Sequence, residues 1–527
     1  MEKRRNGEWG WDPRFSGSPL LPLLPSRSLA LLFFKLRMWK LLLISPIILT
    51  VYIGAFSSQL DGKSELPNSL KELKESIDKV LQNKILEKVS VGIQVVFQDS
   101  GEVVYQSGAT QLLNPASNTK LITSAVALSQ LKPEYTFKTA IYTDKLANGV
   151  AQNIYIKGFG DPDLSSENLW IMVKDLLNEG VQTVEGDIIA DDSFFDNQVI
   201  VKGWEDFTSP ASVGVSALSV NENTIKLFIK PGPKPGLPPL VSADPPLSYL
   251  RMTNRALTLA GRGGISTIYN QDNGDGEVIV SGGISRKSKA LYSEIQVGDP
   301  ALYTIAVFKE ILGNLGIKVQ GTLKKGTLPS KARLLVLHQS QPLSVLLNNS
   351  NKISDNFAAE QILKTLGAEL KGAPGSTEKG IEVIREFLKE EVGIPPDSYV
   401  LENGSGLSRE NRVSPEQIVK LLRYMYNNFE VRSEYLASLA VAGVDGTMKR
   451  RLRDTFAERR LRVKTGALKG VSCLSGYAFT RDNEVLTFSM MINGYTTGGY
   501  PIKQIQNQIG LLLTEFQRAT YAKKEGI

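Results

Sequence analysis

The sequence predicts a mixed α/β unit split by a large β-rich insertion, and three observations carry that reading. Near the front, "VSVGIQVVFQDSGEVVYQSGA" alternates apolar and polar residues on either side of a "DSGE" turn, the pattern of two paired strands. At the far end, "LRVKTGALKGVSCLSGYAFTRDNEVLTFSMMINGY" alternates again as strand, strand, "RDNE" turn and strand. Between them, from about Phe137 to Leu334, the chain changes to short strands separated by proline and glycine turns.

Taken in order, the first ordered element is an amphipathic helix over Ser69 to Lys88, with Leu70, Leu73, Ile77, Leu81 and Ile85 at helical spacing. The strand pair follows, and then a helix whose buried face is formed by Leu121, Ile122, Ala125, Val126 and Leu128, entered through Asn114 and Pro115. The middle region offers "NIYIKG", "TVEGDIIADD", "TIKLFIKPG" and "EVIVSGG" as strands, a loop-rich stretch at Pro231 to Leu240, and few long helices. From "PLSVLLNNSNKISDNFAAEQILKTLGAEL" onward helical periodicity returns. The expected organisation is therefore one α/β domain over 58–136 and 335–527, with an insertion at 137–334 and a candidate nested unit at about 215–295.

The first 57 residues are of another kind. Residues 1–37, with "GSPLLPLLPSRS", match no folded element and read as an upstream extension, which leaves Met1 and Met38 as alternative starts. Residues 38–57 read as a secretory signal peptide or an anchor. Lys40 precedes an uncharged run from Leu41 to Leu60, close to the roughly 20 residues that span a bilayer, and Ala55 and Ser57 fit a small-x-small cleavage pattern. Both outcomes place the body outside the cytoplasm, in a periplasmic or extracytoplasmic location, with the membrane touched only through that anchor.

Charge and composition exclude several chemistries. Residues 1–40 carry +5 of the chain's formal +7, leaving the body nearly neutral, so no basic footprint for nucleic acid exists. One histidine and one cysteine in 527 residues rule out an intramolecular disulfide and argue against His/His zinc sites. His338 lies beside an apolar run that reads as a buried strand, and Cys473 in "GVSCLSGYAF" reads as a packed core thiol. Asp191 and Asp192 read as a strand-end turn rather than a metal site, and "GRGGIS" lacks the spacing of a phosphate loop. A hydrolase with this composition would take lysine or a carboxylate as its base.

Against that background "NPASNTKLIT" stands out. Ser117 precedes Lys120 by three residues at a helix start, so the amine lies one turn along on the same face, within reach of the hydroxyl. The helix start also offers free N–H groups and a positive dipole end to a developing oxyanion. Lysine acts as a base only when its pKa is depressed, by desolvation or by a second cation. Two later motifs supply companions. "SDN", Ser354 to Asn356, opens a helix with a hydroxyl and an amide that could relay a proton and hold a substrate carbonyl. "KTG" closes a strand: Lys464 offers the second cation, Thr465 a hydroxyl for a carboxylate, and Gly466 room for a peptide along the edge. Singly, each motif reads as a cap or a turn; together and in this order they form the trio of active-site-serine penicillin-recognising enzymes.

On these residues the chain resembles the low-molecular-mass, class C penicillin-binding proteins, D-alanyl-D-alanine carboxypeptidase/endopeptidases of the penicillin-binding protein 4 type. The resemblance runs from about Ser90 to Arg518 and includes "GFGDPDL", "EGDIIADDSFF", "NGSGLSREN" and "VAGVDGTMKRR", with Asn403 standing where the family often has aspartate. It implies a β-lactamase/DD-peptidase-like fold, an antiparallel sheet flanked by helices. It also implies roles: Ser117 as nucleophile, Lys120 as base, Ser354 passing the proton to the leaving nitrogen, Asn356 steadying the substrate, and Lys464 with Thr465 facing its carboxylate. The N–H groups of Ser117 and Ala467 would form the oxyanion hole. Peptidoglycan stem peptides are the implied substrates and β-lactam antibiotics the covalent inhibitors; no cofactor or metal is required. Three rivals share parts of this pattern: a β-lactamase, a transpeptidase and a non-catalytic wall-binding relative. The carboxylates nearest in spacing to a deacylating base, Glu390 and Glu391, end an amphipathic helix like ordinary surface charges.

Overall fold

The computed structural model describes residues 69–204, 214–246, 250–272 and 275–518. The upstream extension and the signal or anchor segment lie outside these residues. Among them, no helix is long and apolar enough to cross a membrane.

The two ends of the chain build one six-stranded antiparallel sheet. Its order is Ala440–Val441, Leu461–Leu468, Val471–Phe479, Val485–Asn493, Ser90–Phe97, Val103–Ser107. The early hairpin joins the late meander because Ser90–Phe97 pairs antiparallel with Val485–Asn493, from Ser90 opposite Asn493 to Phe97 opposite Leu486. Side chains alternate across the sheet with a period of two. On Val471–Phe479, Cys473 and Tyr477 pack into one core with the helices Thr119–Leu131, Asn356–Lys371, Thr377–Phe387 and Pro415–Asn427. Leu474 and Ala478 pack on the opposite face, with Leu73 and Ile77 of the helix Leu70–Leu81 and with Ile502, Ile505, Ile509 and Leu513 of the helix Gly499–Glu515. The sheet is thus covered on both sides, and Cys473 is a buried core thiol whose pKa burial pushes up.

The first helix is shorter than its periodicity suggests. It ends at Leu81, because Asn83 accepts the N–H of Ile85 and starts a separate 3₁₀ turn, Lys84–Leu86.

The middle of the chain has its own core. A five-stranded mixed sheet runs Leu323–Lys325, Ile188–Asp191, Ile154–Gly158, Lys138–Thr143, Arg333–Gln339. The chain enters on Lys138–Thr143 and returns on Arg333–Gln339 as its antiparallel neighbour, with Thr143 opposite Arg333. Two small sheets built from residues 224–296 pack into the same core. Of the few long helices expected here, the described residues hold two. Ser166–Asn178 begins at a capping box of Ser165 and Asn168, Pro300–Asn314 begins at Asp299 with proline in its first turn, and both are packed into this core. His338 sits on an edge strand where Leu334 and Leu337 are exposed, so this strand is half-buried rather than buried. Asp191 does end a strand, and Lys157 and Ser193 hold its carboxylate.

The middle segment also grips the helix Asn356–Lys371. Lys364, buried to 1 % exposure, donates to Asp196 Oδ1 and to the Gln198 carbonyl, each at 2.6 Å, and Gln361 Nε2 donates to the Ser216 carbonyl at 3.0 Å.

Candidate active site

Ser117 lies in a 3₁₀ turn, Ala116–Asn118, that runs directly into the helix Thr119–Leu131. The turn is held in an uncommon backbone shape, with Ala116 left-handed at φ 45°. Asn114 fixes it: its Oδ1 accepts the Ala116 N–H at 2.8 Å, while its Nδ2 donates to the Ser408 and Arg409 carbonyls. Two glycines make room. A β-carbon on Gly406 (φ 84°) would sit 1.9 Å from the Ala116 carbonyl oxygen, and one on Gly466 would sit 2.7 Å from the Pro115 oxygen. The space that the sequence suggested Gly466 would leave for a peptide is therefore taken by the Ser117 turn. Gly406→Ala combines this clash with an unfavourable φ. It is expected to cost about 2 kcal/mol or more of stability and to slow acylation, read by thermal denaturation and by penicillin labelling.

Lys120 is fully buried and makes three bonds: to Ser117 Oγ at 3.1 Å, Asn356 Oδ1 at 2.7 Å and the Ser405 carbonyl at 2.6 Å. Burial brings its pKa down to about 7, while the Glu360 and Asp355 carboxylates oppose that fall. Both causes the sequence allowed are present: burial is the larger at Lys120, and Lys464, also fully buried, is held well below the usual lysine range by burial first and by the neighbouring Lys120 second.

Lys464 donates to Ser354 Oγ at 2.8 Å and to the Thr465 carbonyl at 2.9 Å. Ser354 is left-handed at φ 70° and follows a π turn, Asn349–Ile353, so the "SDN" segment is entered from a helical turn and not from a loop. Asp355 takes over the capping, its Oδ1 accepting from Phe357 and Ala358, while the Ser354 hydroxyl meets Lys464. Asn356, expected to face substrate, accepts from Lys120. Thr465 Oγ1 donates to Thr447 Oγ1 at 2.8 Å, and Ala467 is exposed at the same strand end. Ser117, Lys120, Ser354, Asn356, Lys464 and Thr465 thus share one cluster.

Three contributors escaped the motif reading. Glu360 lies four residues after Asn356, hence on the same helix face, and accepts the N–H groups of Gly404 (3.1 Å) and Ser405 (2.7 Å). Ser405 acts through its carbonyl, which no sequence pattern advertises. Thr447 is delivered by a turn in which Asp445 pairs with Lys352 at 2.6 Å and Gly446 passes close to the Lys352 carbonyl. Asn403, the departure from the family's aspartate, uses both ends of its amide: Oδ1 accepts from Gly406 and Nδ2 donates to the Lys202 carbonyl, which a carboxylate could not do.

The chain is 33% identical over 489 residues to a D-alanyl-D-alanine carboxypeptidase of Actinomadura sp. (strain R39), covering 89% of each chain. It is 27% identical over 454 residues to the D-alanyl-D-alanine carboxypeptidase DacB of Haemophilus influenzae, covering 84% of this chain and 92% of that one. In fold it resembles the crystal structure of penicillin binding protein 4 from Haemophilus influenzae, with a TM-score of 0.73 at 24% identity, covering 82% of this chain and 98% of the other. Residues 73–516 match the family described as D-Ala-D-Ala carboxypeptidase 3 (S13), so the chain belongs to that family of serine DD-peptidases.

Proposed function

We propose that this protein hydrolyses D-alanyl-D-alanine peptides of peptidoglycan outside the cytoplasm through an acyl-enzyme on Ser117. The observation that carries the reading is the bond from a buried, pKa-depressed Lys120 to Ser117 Oγ. Neutral Lys120 takes the hydroxyl proton as Ser117 attacks the penultimate carbonyl. The N–H groups of Ser117 and Ala467 receive the oxyanion. Ser354, bonded to Lys464, passes a proton to the departing nitrogen, and water then releases the acyl group. Thr465 and Lys464 meet the terminal carboxylate, whose charge draws a proton onto Lys464. Beyond Val463 no strand covers the outer side of Leu461–Leu468 among the described residues, which leaves an edge for an extended peptide. The same active site would bring cross-bridge peptides within reach as further substrates and would take β-lactams as stable acylating inhibitors.

The same reading assigns 58–136 and 335–527 to the peptidase domain and 137–334 to an insertion with a nested unit at about 215–295. The side-by-side entry and return strands of the middle segment and its separate apolar core support that division. Export through the N-terminal segment 38–57, whether it is cleaved or kept as an anchor, is part of the proposal.

A β-lactamase reading is disfavoured by the carboxylates. Glu390 and Glu391 are exposed in the turn Leu388–Val392, and both oxygens of Glu360 are taken by backbone N–H groups. The test is intact-mass analysis after exposure to benzylpenicillin. A persistent adduct on the wild type, absent from Ser117→Ala, is the expected result. Rapid turnover of the drug would point to a β-lactamase, and an adduct that survives in Ser117→Ala would remove Ser117 as nucleophile.

A further inference from the structure

The catalytic lysine is held from behind by groups that none of the three motifs contains. One of its acceptors, the Ser405 carbonyl, is tied to a carboxylate, and the other, Asn356 Oδ1, projects from the same helix as that carboxylate. Glu360 shares a helix face with Asn356, and its Oε2 and Oε1 receive the Gly404 and Ser405 N–H groups. Glu360 is fully buried, and burial pushes its own pKa up while the bonds from residues 404 and 405 pull it down. Two backbone N–H donors, one on each oxygen, and the Lys120 amine nearby favour the ionised form against that burial. Thr123 Oγ1, from the Lys120 helix, donates to the Gly404 carbonyl at 2.8 Å, so the loop is clamped from both sides.

We propose that Glu360 is a positioning residue of this peptidase: by gripping the Gly404 and Ser405 amides it fixes the carbonyl that receives the Lys120 ammonium, and it sets a negative charge beside that ammonium. The inference rests on the assignment of Lys120 as base. The charged groups facing Lys120 are Glu360 and Asp355 at the start of Asn356–Lys371 and Lys464 from the sheet; the Ser117 turn and the 403–406 loop add none. An opposite charge favours the protonated amine, so removing Glu360's charge lowers the pH at which Lys120 becomes neutral.

The test is the pH dependence of the second-order rate of Ser117 acylation by benzylpenicillin in wild type, Glu360→Gln and Thr123→Val. Glu360→Gln is expected to move the acidic limb to lower pH by about one unit and to lower the plateau about tenfold or more, because one side-chain N–H₂ now faces a backbone N–H. Thr123→Val loosens the same loop without changing charge, and is expected to lower the plateau with the limb in place. A Glu360→Gln limb that overlays the wild type overturns the proposal. Where Glu360→Gln does not fold, Glu360→Asp keeps the charge but shortens the reach; it should lower the plateau tenfold with the limb unmoved, and an unaltered plateau overturns the proposal. Wild type that is not acylated at Ser117 overturns the parent assignment and this one with it, whereas normal wild-type acylation with an unmoved Glu360→Gln profile defeats this one alone.

Discussion

Lys120→Met is expected to lower the second-order rate of acylation by about a hundred- to ten-thousand-fold, the range that a positioned general base contributes. Methionine keeps the length of the side chain but cannot accept the Ser117 proton, and it removes the Lys120 bonds to the Ser405 carbonyl and to Asn356 Oδ1. Wild-type acylation should rise with pH as Lys120 loses its proton around a pKa of about 7 and level off above it, because the neutral amine is the working form. The variant should retain only a slow, limb-free background. Stopped-flow or quench-flow labelling across pH 5 to 9 measures both. A Met variant that keeps the wild-type rate, or the wild-type limb, would remove Lys120 from the role.

Lys464→Met is expected to move activity and stability in opposite directions. Activity is expected to fall because the group proposed to meet the substrate carboxylate, the one that holds Ser354, is gone; a loss of about a hundredfold or more in kcat/KM for a D-Ala-D-Ala peptide is expected. Stability near neutral pH is expected to rise because the penalty of a buried amine held below its ordinary pKa outweighs the Ser354 and Thr465 bonds lost with it. The sign follows from proton counting. Between the depressed native pKa and the unfolded value near 10.4, the unfolded chain binds the extra proton, so the wild type gains stability as pH rises through that window. The methionine variant therefore has its full advantage below the window, and the advantage is gone above about pH 10.4. A gain near neutral pH that shrinks toward pH 10 is the expected result from thermal or denaturant unfolding. A variant that is less stable at every pH would refute the account of Lys464 as a destabilising buried amine.

What could be seen in the sequence follows from how local each signal is. The Ser117–Lys120 pair was legible because helical spacing alone brings the two groups onto one face, and the strands of the main sheet were legible because their alternation survives with one face against each core. The helix Ser166–Asn178 was overlooked although Ser165 and Asn168 are a capping pair, since the surrounding prolines and glycines outweighed it. Glu360 is charged, and a charged residue on a helix reads as solvated until the loop that buries it is known. The carbonyl of Ser405 and the hydroxyl of Thr447 come from loops about 285 and 18 residues distant in sequence from their partners Lys120 and Thr465, so only tertiary packing brings them in.

The bond from Lys364 to Asp196 changes what shortening the protein would do. Excising residues 137–334 and rejoining the neighbouring strand ends looks simple on a map of the chain, but it would remove Asp196, the Gln198 carbonyl and the Phe195 ring together, and with them the groups that cover Lys364 and Phe357. The helix that presents Asn356 and Glu360 would then turn the Phe357 ring toward water, one residue from Asn356. A minimal enzyme made by such surgery would need Phe357 exchanged for a polar residue to keep that helix from sticking to other apolar surface.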